Sequence, residues 1–342
     1  MKRRPTIRDV AIEAGVSTST VDRVLNGREA VRHETAIQVY AAADKLGYHA
    51  VNLIKQRMQE ALPALNIGVL LLNAENPFYK SFRSALENAA QSFSHSQINL
   101  YFANVATQAP QDYAETLVSF AGNADVVCAV AIDHPVVNRA VEELQHCGVP
   151  VFSILTDFGQ NARRYYVGSN NIADGRAAGW LMSNLLAKGK VAVFVGGHRW
   201  HGHMLRESGF RASMRELNPH LEYLDPIANF DARDFAYECL RELLDRHADL
   251  KGVYVAGGGR SGIIAALREA REANEVSLIL HETDDASVDA MRDGFADMIL
   301  STDIESISKD LFKTAAMLRD KGSEPLQGQS FHRSMIDLPG RF

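Results

Sequence analysis

Two groups of side chains in this sequence have the types and spacing that molecular recognition requires. The first lies between Thr6 and Gly27, where a short helical pattern carries polar side chains on one side. Its members are Thr18, Ser19, Asp22, Arg23 and Asn26. Hydroxyl, amide and guanidinium groups read base edges in the major groove of DNA. The first chemistry to expect is therefore hydrogen bonding to double-stranded DNA.

The second group consists of residues that follow apolar, strand-like runs. Its members are Asn76, Phe78, Tyr79, Asp133, His198, Gly258, His281 and Glu282. Aromatic faces with convergent carboxylate and amide groups suit a polyhydroxylated ligand, because each hydroxyl both donates and accepts a hydrogen bond. The second chemistry to expect is binding of a small-molecule effector, a sugar or sugar-like polyol.

Apolar spacing predicts the elements that position the first group. Residues three and four apart form one face of a short helix, a turn follows at Gly15, and a second short helix begins after Ser17. Thr6 and Ser17 are the predicted N-caps. The inward positions are Ile7, Val10, Ala11, Ala14, Val21, Val24 and Leu25. This pattern is typical of a helix-turn-helix, and an ordinary helical hairpin with a polar outer face is the alternative.

The charge distribution favours the helix-turn-helix. Residues 1–62 contain ten Lys or Arg against seven Asp or Glu, and the remaining residues contain 26 against 35. Lys2 and Arg3 begin the basic segment. A basic head on an acidic body suits phosphate binding, which supplies most of the affinity for DNA. Because one head carries a small excess, we expect a homodimer.

The run TIRDVAIEAGVSTSTVDRVLNG, followed by a third predicted helix that ends in LGY, resembles the DNA-binding head of the lactose-repressor family of bacterial transcription regulators. In that family the second helix enters the major groove. The resemblance implies base contacts for Thr18, Ser19 and Arg23, and contacts nearer the phosphates for Ser17, Thr20 and Asn26. Thr6 belongs to the same predicted DNA-binding set.

Asp22 departs from the family, which usually has serine at this position. A carboxylate beside a phosphate is repelled. We therefore expect Asp22 to pair with Arg23 or a neighbouring base, or to accept from a cytosine amino group.

The segment HAVNLIKQRMQEALP follows the head. In the resembled family a Pro-Asn pair stands here, before a hinge helix that orders on the operator and wedges a leucine into the minor groove. Asn52 matches the amide, the proline is missing, and Met58 falls where the wedging side chain would lie. A linker with no special role is the alternative, and Pro63 marks its end in either case.

From residue 66 onward, apolar strand-like runs alternate with helical patterns, and the alternation restarts at Tyr166. Such alternation predicts an α/β body of two doubly wound parallel-sheet lobes. Ligands bind outside the carboxyl ends of such strands, so two facing lobes form a cleft. The predicted organisation is a helix-turn-helix head at 1–50, a hinge at 51–64 and an effector domain at 66–342, with lobe 1 at about 66–165 and 303–326 and lobe 2 at about 166–302 and 327–342.

The body resembles the periplasmic sugar-binding proteins, whose fold the lactose-repressor family shares. The resemblance implies that Phe78 and Tyr79 stack on a sugar ring and that Asp133 accepts from its hydroxyls. It implies effector contacts also for Arg206, Phe230, Glu282 and Thr302. Two departures mark this chain: GGGRSG replaces an asparagine-aspartate pair, and Leu-His-Glu replaces Gly-Tyr-Asp.

The departures leave the ligand class open. Arg206, Arg260 and His281 suit an acidic or phosphorylated ligand, and they equally suit ion pairs with Glu282 or Asp284. A sugar or sugar-like polyol is the expected class.

Other site chemistries have weaker support. His198, His201 and His203 lie within six residues, and we expect a loop that lines the cleft rather than a metal site, because the spacing matches no known metal cage. The triple glycine lacks the GK[ST] of a phosphate-binding loop, and no serine lies in a GxSxG elbow. We therefore expect no metal, no cofactor and no enzyme chemistry.

An effector-responsive transcriptional regulator, acting as a repressor, is the function that accounts for both halves of the chain. A transport-type sugar-binding protein and an enzyme on the same scaffold are the alternatives. No run approaches the roughly 20 apolar residues of a membrane span, and the basic start is not followed by an apolar signal region. We expect a cytoplasmic protein with no membrane partner.

Overall fold

The computed structural model describes residues 4–26, 31–60, 62–321 and 327–340. Lys2 and Arg3 of the predicted basic segment lie outside these residues. The chain divides into two compact units. The first comprises Met1–Leu65 with Ala90–Asn99, and the second comprises Asn66–Ala89 with Leu100–Phe342.

The head is built from helices α1 (Ile7–Ala14), α2 (Thr18–Asn26), α3 (His33–Leu46) and α4 (Val51–Glu60). Thr6 starts α1 through a capping box, because its hydroxyl accepts from the Asp9 amide and the Asp9 carboxylate accepts from the Thr6 amide. Gly15 and Gly47 end α1 and α3 in the left-handed conformation that glycine adopts without steric cost. The turn between α1 and α2 is therefore encoded locally, as the sequence predicts.

The apolar faces of these helices form one core. Val10, Val21, Val39 and Ala43 are almost completely buried in it, and α4 contributes Ile54, which is fully buried. The segment predicted as a hinge is thus helical over Val51–Glu60 and packs into the head.

The body alternates strands and helices. The first elements in chain order are β1 (Ala64–Leu72), α5 (Pro77–Ser92), β2 (Gln97–Val105), α6 (Pro110–Val118), β3 (Val126–Ala129), α7 (Pro135–His146), β4 (Val151–Ile154) and β5 (Tyr165–Ser169). They are followed by α8 (Asn171–Leu185), β6 (Gly189–Val195), α9 (His201–Leu217), β7 (Leu221–Tyr223), β8 (Ile227–Ala228), α10 (Arg233–Arg246), β9 (Leu250–Val255), α11 (Arg260–Ala270), β10 (Ser277–His281), α12 (Asp285–Arg292) and β11 (Met298–Ser301). The last elements described are α13 (Ile304–Lys321), β12 (Gly328–His332) and β13 (Met335–Asp337).

Two sheets organise these elements. The first has the strand order β12-β5-β4-β3-β1-β2, and the second has the order β13-β11-β10-β9-β6-β7 with β8 also paired to β6. The central pairs are parallel, and β13 lies antiparallel to β11. All residues of β3 and β4 are buried, as expected for strands covered on both faces. The α/β fold predicted from the alternation is confirmed.

The predicted boundary between the lobes needs correction. The sequence predicts that the alternation restarts at Tyr166 in the second lobe, but β5 pairs with β4 and β12 in the first sheet. Of the stretch assigned to lobe 2 at 327–342, β12 therefore joins the first sheet and only β13 joins the second. A strand's own residues do not reveal which sheet it joins, since both sheets offer the same apolar edges. In the described residues the chain crosses between the sheets at 170, at 302–303 and at 333–334.

Glycines bring α8 and α9 into backbone contact in the second lobe. A Cβ atom at Gly175 of α8 would overlap the Arg206 carbonyl oxygen, and one at Gly209 of α9 would overlap the Ile172 carbonyl oxygen. The missing side chains let the two helices approach more closely than alanine would permit. This contact fixes the positions of the first turns of both helices.

We expect Gly175→Ala to destabilise the body by about 1–3 kcal/mol, because the added methyl group must displace the α9 backbone. Alanine normally stabilises a helix interior by about 1 kcal/mol relative to glycine, so the expected sign is reversed. Urea denaturation followed by circular dichroism measures the difference. Ala173→Gly, at an exposed position of the same helix, is the control and should lose about 1 kcal/mol. A Gly175→Ala variant more stable than the wild type would contradict the close contact.

Candidate DNA-binding surface and ligand cleft

The polar row of α2 lies on the solvent side of the head. Thr18, Ser19, Asp22, Arg23 and Asn26 are all exposed. The residues between them are the buried ones of this helix: Val21, Val24 and Leu25. One face of α2 therefore presents hydroxyl, carboxylate, guanidinium and amide groups together, the arrangement that direct readout of base edges requires.

The start of α2 is held by hydroxyl groups. The Ser17 hydroxyl accepts from the Thr20 amide at 3.1 Å, as an N-cap does. It also lies 2.7 Å from the Ser19 hydroxyl and 2.8 Å from the Thr20 hydroxyl. Three of the predicted DNA-binding residues thus share one hydrogen-bonding cluster at the helix start.

Asp22 has a protein partner that the sequence did not indicate. The Asn26 side-chain amide donates to the Asp22 carboxylate at 2.8 Å and to the Asp22 carbonyl at 3.1 Å. The two residues are four apart and lie on the same face of α2. The Asp22 carboxylate is therefore hydrogen-bonded to Asn26, a residue that is itself predicted to lie near the DNA phosphates.

The other predicted DNA contacts are divided between exposed and packed positions. Thr6 is exposed, and its hydroxyl is engaged by Asp9 at 2.7 Å in the cap of α1. Asn52 is exposed on α4. Met58 is partly buried against the head core, because it follows Ile54 by four residues on the same face of α4. The structure thus does not present Met58 as an exposed wedge, whereas Leu53 on this helix is 41% exposed.

A cavity of about 230 Å³ lies between the carboxyl ends of the two sheets. Pockets for drug-sized ligands have volumes of about 300–1,000 Å³, so this one suits a smaller molecule. The predicted effector residues that line it are Asn76, Phe78, Tyr79, Arg206, Phe230, Gly258, His281, Glu282 and Thr302. Two hydrogen bonds join the lobes here, an exposed one from the Gln108 side chain to the Phe230 carbonyl at 3.4 Å and a buried one from the Gly202 amide to the Thr156 hydroxyl at 3.0 Å.

Two predicted effector residues lie outside the lining. Asp133 is exposed, and its carboxylate accepts from the Asn138 side chain at 3.1 Å and the Gly159 amide at 3.4 Å. His198 is exposed in the loop before α9. Both follow a strand, but neither is among the residues that line the cavity.

The lining residues that were not predicted include Asn171, Trp200 and Asp231, whereas His203 belongs to the histidine cluster that was expected to line the cleft. Asn171 begins α8, and Trp200 is the N-cap residue of α9. Their position in the chain could have identified them, because a helix that follows a parallel strand begins at the same edge of the sheet where the strand ends.

Three buried polar atoms of lining residues have no hydrogen-bond partner within the described part of the chain: Asn171 Oδ1, Trp200 Nε1 and Arg206 Nε. Their residues are only 3%, 4% and 8% exposed. Leaving such an atom unpaired costs about 1–3 kcal/mol, so proteins normally avoid it. Because their residues line the cavity, these two donors and one acceptor are the complement of hydroxyl groups on a ligand that reaches them.

Most positive groups near the cavity are committed to protein partners. Arg260 donates to Asp284 through Nη2 at 2.6 Å and Nε at 3.1 Å. Burial raises the pKa of Asp284, but the Arg260 charge and hydrogen bonds from Ser287 outweigh it and leave that pKa lowered. His281 lies 2.7 Å from the Tyr254 hydroxyl, and burial lowers its pKa well below the usual value, so its ring is neutral. Arg206, Arg260 and His281 were the three groups suited to an acidic ligand, and of these Arg206 remains available. It donates one hydrogen bond, to the Ala256 carbonyl at 2.9 Å.

Glu282 and Thr302, both predicted effector contacts, are joined to each other. The Glu282 carboxylate accepts from the Thr302 amide at 3.0 Å and from its hydroxyl at 2.5 Å. Thr302 lies at one of the crossings between the sheets. The carboxylate thus connects the cavity wall to a segment that any rotation of the lobes must bend.

The three glycines at 257–259 make room for a neighbouring loop. The Asp231 carboxylate accepts from the Gly258 amide at 2.6 Å, and the buried Asn229 side chain donates to the Gly258 carbonyl at 2.9 Å. A Cβ atom at Gly258 would lie 2.6 Å from the Asp231 Cβ. The glycines therefore admit the loop that carries Phe230 and Asp231 to the cavity.

Within 4–26, 31–60, 62–321 and 327–340, no three His, Cys, Asp or Glu side chains converge as metal ligands. Over the same ranges, every helix is too short or too polar to cross a membrane.

Residues 6–50 match the lacI family of bacterial regulatory proteins, and residues 67–323 match the periplasmic binding protein domain. The matched regions contain the polar row of α2 and the cleft. The chain belongs to the lacI family of bacterial regulatory proteins and carries a periplasmic binding protein domain. The resemblance read from the sequence is thereby confirmed.

Relatives of this lacI-family chain include the sucrose operon repressor of Pediococcus pentosaceus, which is 30% identical over 65% of this chain and 65% of its own length. The match therefore spans just under two thirds of that relative. The regulator CelR of Thermobifida fusca is 27% identical over 79% of this chain and 78% of its own. A glucose-galactose binding protein of Geobacillus stearothermophilus shares the fold, with a TM-score of 0.74 at 16% identity over 81% of this chain and 98% of its own.

Trp200→Phe isolates one unpaired donor of the cleft. Removing a buried N–H that has no partner relieves a desolvation cost, so we expect the ligand-free melting temperature to stay the same or rise. Differential scanning fluorimetry measures it, with Trp180→Phe at an exposed site as the control. A fall of several degrees in the ligand-free protein would mean that the packing of the indole ring or a bond of its N–H outweighs the desolvation cost.

Proposed function

We propose that this chain is a DNA-binding transcriptional regulator, acting as a repressor, whose affinity for operator DNA is changed by a sugar or sugar-like ligand in the cleft. The observation that carries the proposal is the set of unpaired buried donors and acceptor in a cavity of a chain that also has a helix-turn-helix. The names of the relatives support it, since they include a sucrose operon repressor.

The head supplies the DNA contacts in this proposal. Thr18, Ser19 and Arg23 on the exposed face of α2 read base edges, and Ser17 and Thr20 at its start approach the phosphates. The net charge of residues 1–62 is small, so two heads bind two half-sites as a homodimer. Binding to bacterial operator DNA places the protein in the cytoplasm.

The cleft supplies the control. A ligand that bridges the lobes favours the lobe angle at which its hydroxyls reach Asn171, Trp200 and Arg206, and disfavours other angles. Rotation of the lobes acts on the crossings, where Thr302 is held by Glu282. DNA affinity changes if the two lobe angles differ in how they present a pair of heads, and linkage requires that DNA then changes ligand affinity equally.

The alternatives account for less of the chain. A transport-type sugar-binding protein has no use for a helix-turn-helix head, and the named relatives are regulators. The cleft polar groups are arranged to pair with hydroxyls, and we assign no nucleophile or general base among them.

Arg23→Ala tests the recognition helix. The wild type should shift DNA from immediately upstream of its own gene in a mobility assay, and the variant should lose about tenfold or more in sequence-specific affinity while salt-sensitive binding remains. Arg215→Ala, an exposed arginine of the body, removes the same charge and serves as the control. Unchanged specificity in Arg23→Ala would exclude this role for α2.

A thermal-shift screen tests the ligand class. D-glucose, D-galactose, D-arabinose and sucrose represent neutral sugars, with D-gluconate and D-glucose 6-phosphate as acidic counterparts. A ligand at 100 times its dissociation constant adds about 2.7 kcal/mol to stability, which is readily measured. We expect at least one neutral sugar to raise the melting temperature and to change operator affinity in the mobility assay. If only the acidic compounds act, the neutral assignment is wrong.

A further inference from the structure

His203 occupies a place in the cleft that a glycine leaves open. It is the third residue of α9, lines the cavity and is partly exposed. A Cβ atom at Gly257 would overlap His203 Cε1, so the imidazole lies against the glycine run at the end of β9. Among the three histidines clustered in the sequence, it is the one in the cavity lining.

The hydrogen bonds of His203 determine where its proton lies. The Gly196 amide donates to Nδ1 at 3.1 Å. A backbone N–H can only donate, so Nδ1 is the acceptor and a neutral ring carries its proton on Nε2. Burial lowers the pKa of His203 to about 4; the Asp231 charge opposes this shift and the Arg206 charge reinforces it. The ring is therefore a neutral Nε2–H donor at physiological pH.

This donor is one of three on a single face of α9. Trp200, His203 and Arg206 follow one another at intervals of three residues, or about 4.5 Å along the helix axis. Trp200 Nε1 and Arg206 Nε are the buried donors without partners. The start of α9 thus carries a row of side-chain N–H groups, which we call the donor row.

We propose that His203 is a specificity-determining residue of the cleft, whose Nε2–H binds an effector oxygen between those bound by Trp200 and Arg206. This rests on the proposed function, because it assigns a role within the same ligand site. The spacing of the donor row matches several oxygens along one edge of a ligand better than a single compact anion. Asp231 and Glu282 line the same cavity and repel anions, so the structure favours a neutral polyhydroxylated edge.

The tautomer is tested without a ligand. Long-range ¹H–¹⁵N correlation spectra of ¹⁵N-histidine-labelled full-length protein at neutral pH should show a neutral Nε2–H ring that is absent from His203→Gln. An Nδ1–H tautomer or a charged imidazolium at this residue would overturn the proposal.

Binding is tested with the panel sugar that stabilises the wild type most. His203→Ala should weaken its affinity about tenfold, the size of one hydrogen bond in a buried site, and His203→Gln should recover most of the loss because its amide also donates. His198→Ala, at the exposed histidine outside the cavity, should bind as the wild type does. Equal affinity of His203→Ala and wild type would overturn the proposal.

A double-mutant cycle separates positioning of the ring from general damage. Gly257→Ala should weaken sugar binding in the wild type by displacing the imidazole, and should weaken it less in the His203→Ala background, where only the 2.9 Å approach to Asp231 Oδ1 remains. Equal losses in both backgrounds would mean that the glycine does not act through His203.

The pH profile gives an independent readout. Wild-type affinity should stay constant between about pH 6 and pH 8, because His203 titrates near 4. A change over this range that His203→Gln abolishes would contradict the neutral donor. If no sugar of the panel binds the wild type, the ligand assignment and this proposal both fail, whereas the DNA-binding assay with Arg23→Ala remains an independent test of the head.

Discussion

The close contact of α8 with α9 is the constraint on which the cleft depends. Gly175 and Gly209 let the backbone of each helix meet a carbonyl of the other. Their first turns are then too close to shift independently, which holds Asn171 of α8 near Trp200 and Arg206 at the start of α9. The unpaired buried atoms of these three residues persist because the packing around them is more favourable than the cost of leaving them unpaired.

Glycine has a second use at the ends of β6 and β9. Gly196 donates to His203, Gly257 leaves room for its ring, and Gly258 receives the loop that carries Asp231. Side chains from other elements therefore occupy the space where residues of these strand ends would otherwise project. At these two strand ends, the side chains that reach the cavity therefore come from α9 and the β8–α10 loop rather than from the glycines.

Much of the head could be predicted from neighbouring residues, because its determinants are local. The capping box of Thr6 and Asp9, the left-handed Gly15 and the three-and-four spacing of apolar residues act within a few positions of the chain. The alternation of body elements was readable for the same reason. The allocation of β5 and β12 was not, because it depends on strands more than ten residues away or on the far C-terminal segment. Met58 shows the same limit, since its packing depends on which face of α4 meets the head core.

The sequence by itself determined the helix-turn-helix, the α/β class and six of the residues that line the cavity, because cap residues, apolar periodicity and strand ends are properties of short segments. The family resemblance supplied three more, Arg206, Phe230 and Thr302. Tertiary structure alone decided which polar groups form hydrogen bonds within the protein and which are left for a ligand. It paired Arg260 with Asp284, left Asp133 and His198 out of the cavity lining, and placed Asn171 and Trp200 in it. Such pairings join residues from separate elements or depend on a side chain's direction, and neither is contained in the spacing of residues along the chain.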